Sequence, residues 1–183
     1  VPPPRAMMVS PQAMQPLTRA AIRIGVIDGG FAGLEDLPAA TFPGGLEVRC
    51  YTEVGVSSSV RAACARGRTS HGTNVAETVA AMAPDAMLFL ANPVSYADML
   101  ETIDWMTSRG VRVINASFAS GAVFDGPGDG SSPSSTSYYR AIDRAVARGA
   151  LWVNAAGNSG DLGWSGPWTS RDGDAWLDFT TNS

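Results

Sequence analysis

Four short segments, in a fixed order along the chain, carry residue types that could perform acyl transfer. Asp28 follows an apolar run at 22–27, and His71, the only histidine of the 183 residues, opens a helical pattern. The segment 113–118 (Val-Ile-Asn-Ala-Ser-Phe) and then Asn158, in Ala-Ala-Gly-Asn, come later. An acid, a base, an extended segment that holds a peptide and an amide that donates to an oxyanion are the parts of such a site.

Each of the three polar side chains also has an ordinary structural interpretation. Asp28 stands where open α/β sheets place ligand sites, at the carboxyl end of a strand, but a solvated loop aspartate has the same pattern. His71 begins a helix, where the macrodipole disfavours the imidazolium and a nearby carboxylate would offset this effect; a structural histidine is the alternative. Asn158 alone indicates no more than a turn. His71 is the strongest of the three by itself, and the combination favours a catalytic site.

The elements that must position these residues alternate between strands and helices. Near-continuous apolar runs are typical of parallel strands that are covered on both faces. Such runs predict strands at 22–27, 46–51, 86–91, 111–115 and 150–154. Helices are predicted at 71–82, 96–109 and 138–148. The alternation predicts a three-layer α/β fold, in which a mostly parallel sheet has helices on both faces.

The apolar spacing predicts which helix faces point inward. Ser95 is expected to cap the helix at 96–109, with Asp98 at its third position and Gly110 just past its end. The predicted inward residues are Met99, Ile103 and Met106 in this helix, and Tyr139, Ile142 and Val146 in the helix at 138–148.

Composition and charge exclude several classes of function. Hydrophobic residues make up 45% of the chain, as in globular domains. The net charge of −4 and the scattered basic residues argue against a nucleic-acid partner. No run reaches the roughly 18–20 apolar residues of a membrane span. Cys50 and Cys64 are either two buried thiols or a disulfide, which would indicate an oxidising compartment, and neither has the spacing of a zinc ligand.

Taken together, the four segments resemble the subtilisin-like serine proteases, the subtilase family. The similar motifs are Val-Ile-Asp-Gly-Gly, Ser-His-Gly-Thr-Asn-Val-Ala, Val-Ile-Asn-Ala-Ser-Phe and Asn-Ala-Ala-Gly-Asn, in the family's order of Asp, His and Asn. The resemblance makes 21–160 the amino-terminal part of a subtilisin-like catalytic domain. Residues 1–20, with five prolines, are predicted to be a linker, and 161–183 the start of a further, β-rich segment.

The resemblance implies a secreted serine endopeptidase that acts on polypeptides, with its signal peptide outside this chain. Asp28 would be the triad acid, His71 the general base and Asn158 the oxyanion donor. The implied substrate-binding residues are Ser117, Phe118 and Ala119 along the peptide, and Ala155, Ala156 and Gly157 in the pocket wall. No cofactor or metal is assigned: Asp172 and Asp174 fit either a calcium loop or a solvated turn.

Three features depart from the family pattern. Gly29 stands where the family has Ser or Thr, Ala119 stands where the substrate edge continues with Gly, and no Gly-Thr-Ser-x-x-x-Pro occurs. We therefore expect no turnover by this chain alone. It is interpreted as part of a larger protease in preference to a pseudoprotease. The alternative from another class is a flavodoxin-like domain that binds a peptide or ligand, in which Asp28 and His71 would not be hydrogen-bonded.

Overall fold

Six strands form one sheet in the computed structural model, which describes residues 22–65, 69–117 and 138–155. The strands are β1 (Arg23–Ile27), β2 (Leu46–Glu53), β3 (Val56–Ser58), β4 (Met87–Ala91), β5 (Val113–Ala116) and β6 (Leu151–Asn154). Their order across the sheet is β3-β2-β4-β1-β5-β6. Only β3 runs antiparallel to its neighbour, so this part of the chain forms the mostly parallel sheet that the sequence predicts.

Three α-helices flank this sheet within the described residues: α1 (His71–Met82), α2 (Tyr96–Ser108) and α3 (Tyr138–Ala147). The five predicted strands and three predicted helices are confirmed, with ends that differ by one or two residues. The exception is β3, which the sequence analysis missed. It has three residues, follows a turn in which Gly55 has a φ of 74°, and contains two serines. So short and polar a strand has no apolar alternation to reveal it.

Alternation of side chains along the strands produces the three layers. Val26, Leu88 and Leu90 pack on the face where α1 contributes Ala76 and Ala80. Strand residues with the opposite side-chain orientation pack on the other face, against α2 and α3; these are Ile27, Phe89, Ala91 and Ile114. The three-layer α/β class is therefore confirmed.

The structure confirms both ends and the inward face of α2. The Ser95 hydroxyl accepts a hydrogen bond from the Asp98 amide at 3.1 Å, which satisfies one of the free N–H groups of the first turn. Gly110, with a φ of 74°, follows the last turn. The three predicted core residues of this helix are fully buried: Met99, Ile103 and Met106.

The predicted inward face of α3 is wrong. Val146 is 54% exposed, and the buried residues are Ala141 and Ala145. The physical reason is the ion pairing between helices: Arg144 donates to both carboxylate oxygens of Asp104 on α2, at 2.8 and 2.6 Å. This contact turns the alanines toward α2, where their small size permits close approach. Ile142 is half-buried, and the side chain of Tyr139 lies outside the described part.

Cys50 and Cys64 form a disulfide, with an S–S distance of 2.01 Å. It joins β2 to the short 3₁₀ helix Arg61–Ala65, and both residues are fully buried in the α1-side core. Of the two alternatives that the sequence left open, the structure therefore has the cross-link. The predicted linker at 1–20 and the predicted β-rich start at 161–183 lie outside the described residues.

Candidate active site

Asp28 lies directly after β1, at the carboxyl edge of the sheet. Its amide donates to the Ala91 carbonyl at 3.1 Å, which extends the pairing between β1 and β4 by one residue. Its side chain is only 3% exposed, and the Gly29 amide donates to Oδ1 at 2.8 Å. A buried carboxylate needs such donors, because its loss of hydration is otherwise costly.

His71 is the first residue of α1, and its ring lies against Asp28. Nδ1 is 2.7 Å from Asp28 Oδ2, and the His71 side chain is 55% exposed. An ionised carboxylate only accepts hydrogen bonds, so the proton of this contact belongs to Nδ1. In the neutral ring, Nε2 is then left as the acceptor. The arrangement orients an imidazole whose free nitrogen is able to take a proton from another group.

Close contacts between α1 and the loop after β1 hold this pair together. The Gly72 amide donates to the Gly30 carbonyl at 3.1 Å, and the Thr73 hydroxyl donates to the Ala32 carbonyl at 3.0 Å. A Cβ atom on Gly72 would lie 2.7 Å from the Gly30 oxygen and 2.8 Å from Asp28 Cβ. Only glycine permits this approach.

Two further predicted site residues lie at the same edge of the sheet. Ser117 follows β5, and its hydroxyl donates to Asn115 Oδ1 at 2.8 Å. Ala155 follows β6, and its amide donates to the Ala116 carbonyl at 3.1 Å. Since β5 pairs directly with β1, Ser117 and Ala155 lie on the same side of Asp28. The other predicted site residues lie outside the described part: Phe118, Ala119, Ala156, Gly157 and Asn158.

Asn92 is a polar residue at this edge that the sequence analysis missed. It follows β4, is 1% exposed, and accepts a hydrogen bond from the Tyr51 amide through Oδ1 at 2.7 Å. Its Nδ2 has no partner in the described part of the chain. The signal was present, because Asn92 follows a buried apolar strand just as Asp28 does.

Within residues 22–65, 69–117 and 138–155, no cluster of three His, Cys, Asp or Glu side chains is arranged to hold a metal ion. In that same part, no helix is both long enough and apolar enough to cross a membrane.

Several known proteins have sequences similar to that of this chain. The profile described as the Subtilase family matches residues 19–176. Subtilisin DY from Bacillus licheniformis is 30% identical over 163 residues, covering 79% of this chain and 50% of that protein. Subtilisin E from Bacillus subtilis (strain 168) is 31% identical over 110 residues, covering 52% of this chain and 26% of that protein. The chain thus spans at most about half the length of these relatives.

Proposed function

Because the chain belongs to the subtilase family, we propose that it supplies the acid, the base and the oxyanion donor of a secreted serine endopeptidase. Asp28 is the acid, His71 the general base and Asn158 the oxyanion donor. The observation that carries the proposal is the 2.7 Å contact between His71 Nδ1 and Asp28 Oδ2 at the carboxyl edge of the sheet. A binding domain without chemistry has no need of this pairing.

The contact supports a defined sequence of proton transfers. Asp28 holds the proton of His71 on Nδ1, so Nε2 is free to take the proton of an attacking serine hydroxyl. The imidazolium that forms is stabilised by the buried carboxylate of Asp28, which stays ionised. His71 then gives the proton to the leaving amine. The Asn158 amide would donate to the oxyanion of the tetrahedral intermediate.

The substrate would lie along the chain that continues from β5. Ser117, Phe118 and Ala119 would pair with an extended peptide by strand addition, and Ala155, Ala156 and Gly157 would form the opposite wall. Two of these six, Ser117 and Ala155, directly follow the neighbouring strands β5 and β6, which supports a cleft at this edge of the sheet. The Ala119 methyl group, where the family has glycine, is expected to narrow the path of the peptide.

Gly29 lacks the side-chain hydroxyl that Ser or Thr would place beside Asp28, but its main-chain amide still donates a hydrogen bond to that carboxylate. The family has Ser or Thr at this position, and the Gly29 amide still donates to Asp28 Oδ1 at 2.8 Å. A Cβ atom on Gly29 would meet nothing within 4 Å. The position therefore accommodates a side chain, and the acid keeps enough support for its role.

The nucleophile is proposed to lie in sequence beyond the 183 residues. No Gly-Thr-Ser-x-x-x-Pro occurs in them, and the chain covers only half of Subtilisin DY. The decisive experiment is to express the full reading frame and treat it with a fluorophosphonate. We expect labelling of the longer protein and none of the 183-residue chain. Labelling of the short chain, or a longer protein that contains the motif and stays unlabelled, would contradict the proposal.

The base is tested in the same longer protein. His71→Ala should lower kcat about a millionfold, an effect of the size measured in a subtilisin when one such triad residue is lost. Asn74→Ala, an exposed position one turn further along α1, is the matched control and should leave kcat unchanged. Equal activity of the two variants would rule out His71 as the base.

The proton position is measurable in the 183-residue chain itself, because His71 is its only histidine. Nitrogen-15 NMR at alkaline pH should show a protonated Nδ1 and an unprotonated Nε2. Asp28→Ala should remove this preference. An Nε2-protonated ring in the unaltered chain would contradict the assigned hydrogen bond.

A non-catalytic peptide-binding domain is the second candidate, favoured by the missing serine motif. It predicts a reading frame without Gly-Thr-Ser-x-x-x-Pro, no fluorophosphonate labelling, and binding of extended peptides that does not require His71.

A further inference from the structure

Half of β2 has a free edge within the described residues. β3 pairs only with the second half of this strand, from Cys50 to Glu53. The first half, Leu46–Arg49, pairs with β4 on one side, and no described strand lies on its other side. An open strand edge presents unpaired N–H and C=O groups that another extended chain can meet.

Main-chain directions identify the residues that present these groups. The Gly45 carbonyl accepts from Leu88, and the Tyr51 amide donates to Asn92, so both residues direct their main-chain groups toward β4. Successive residues of a strand point these groups to alternate sides. Leu46 and Val48 therefore direct theirs to the open side.

A cavity of 470 Å³ runs beside this edge. We call it the β2-edge cavity; it is lined by Leu46–Arg49, Ser57–Ser59, Arg61, Trp105 and Arg109. It lies on the β2 flank of the sheet, with β4 between β2 and the strand that precedes Asp28. The β2-edge cavity is therefore separate from the candidate active site.

The lining of this cavity has a net positive charge, whereas the chain as a whole has a net negative charge. The chain has a net charge of −4, whereas the lining holds Arg49, Arg61 and Arg109 against Glu47. Arg49 already has two partners, because it forms an ion pair with Glu101 at 2.8 Å and lies over the Trp105 ring.

The other two guanidinium groups have only long contacts. Arg109 is 53% exposed, and its pair with Glu47 measures 3.4 Å. Arg61 donates to the Leu37 carbonyl at 3.4 Å and lies over the Phe42 ring, but it has no carboxylate partner in the described part of the chain. Both are therefore available to a carboxylate at little cost in existing bonds.

We propose that the β2-edge cavity binds an extended acidic peptide segment as an added strand. Its main chain pairs with Leu46 and Val48, and its acidic side chains meet Arg109 on one face and Arg61 on the other. Such a site holds a part of a polypeptide remote from the bond that the candidate active site would cleave. Binding here requires neither the serine nor the Asp28–His71 pair, so it is tested independently of the proposed function.

The test uses the 183-residue chain and a fluorescein-labelled Glu-Glu-Val-Val-Glu-Glu peptide, which places glutamates on both faces of a strand. Binding is followed by fluorescence anisotropy at low ionic strength. We expect saturable binding that weakens at about 0.15 M salt, and no binding of the Lys-Lys-Val-Val-Lys-Lys peptide. Arg61→Ala and Arg109→Ala should each weaken binding about 3- to 5-fold, as exposed charge pairs do. Arg140→Ala, an exposed arginine on α3, is the matched control and should change nothing.

Main-chain pairing is tested with peptides that keep the charge. N-methylation of the amides at the odd positions or at the even positions of the peptide removes the donors from one edge at a time. One of the two methylated peptides should lose binding at least tenfold while the other retains it. The proposal is overturned by absence of saturable binding, by equal affinities of the two arginine variants and the control, or by equal binding of both methylated peptides.

Discussion

The face of the sheet that carries α1 has two halves with very different burial. Over β1, β2 and β4, which we call the covered half, Val26, Leu88 and Leu90 are at most 1% exposed. Over β5 and β6, the open half, Leu151 is 61% and Val153 is 42% exposed. A cavity of 300 Å³ lies there between the strands and the flank of α1. The opposite face has no such division, because Ile114 and Trp152 both join the α2 and α3 core.

The difference shows that apolar alternation in a strand does not by itself bury a side chain. Leu151 and Val153 have the same residue types and spacing as the strands of the covered half. What differs is the layer above them: α1 lies over the first half, and no described element lies over the second. Exposed apolar surface of this kind is characteristic of an interface. His71 opens α1, so the candidate active site lies close to the boundary between the halves.

The largest expected contrast comes from one leucine in each half. Leu90→Ala should lower the free energy of unfolding by about 2–5 kcal/mol, because it leaves a cavity in a packed core. Leu151→Ala should cost less than about 0.5 kcal/mol, as at other exposed positions. Urea unfolding of the two variants measures both values. Equal losses would show that Leu151 is buried in solution and would remove the distinction between the halves.

The disulfide lies in the core of the covered half and is expected to stabilise the fold. Replacing both Cys50 and Cys64 by alanine should cost about 3 kcal/mol, the value expected for a cross-linked loop of about 15 residues. The separation of the two cysteines in this chain is 14. Thermal unfolding with and without a reducing agent provides the measurement. The unaltered chain should melt lower under reduction and the variant should not; a variant that also responds to reductant would contradict this assignment.

Gly72 and Gly29, both near the boundary between the halves, differ in how closely other atoms approach the position of a Cβ atom. Gly72→Ala should cost about 1–3 kcal/mol through overpacking, since its Cβ would press on the Gly30 carbonyl and on Asp28. Gly29→Ala should change stability little, because nothing lies within 4 Å of its Cβ. Denaturant unfolding gives the free energies, and the His71 NMR signals report the contact with Asp28. A larger loss of unfolding free energy in Gly29→Ala than in Gly72→Ala would show that the close contact between α1 and the loop after β1 does not determine the effect.

The smallest effect is expected at alkaline pH. Tyr51 is fully buried, and this burial raises its pKa above the usual 10.0. The phenol ionises first in the unfolded chain, so its contribution to stability is intact below pH 10 and is lost as pH rises through the raised pKa. Tyr51→Phe should therefore flatten the fall of stability above pH 10. A fall of equal steepness in the variant would show that another group causes it.

Local patterns in the sequence predicted much of the fold and a part of the candidate site. The Ser95 cap, the buried face of α2 and the placement of Asp28 after β1 each depend on neighbours a few residues apart, which spacing reveals. The face of α3 was mispredicted because it depends on Asp104, a partner about forty residues away. Asn92 was overlooked although its position directly after β4 is a local signal of the same kind as that of Asp28; its bond to Tyr51, which joins two strands that are distant in sequence, was not predictable from such a pattern.

The sequence by itself determined the types of all the main elements except β3, the order of Asp28, His71 and Asn158, and the resemblance to a family. It did so because capping, periodicity and motif chemistry are encoded within short segments. Only the tertiary structure decided that Asp28 and His71 are in contact and that the two cysteines are joined. It also decided that, among the described residues, half of β2 has a free edge and one half of a sheet face is covered while the other is open. Each of these depends on which distant segments lie side by side, and the residue types of one segment do not specify its neighbours in space.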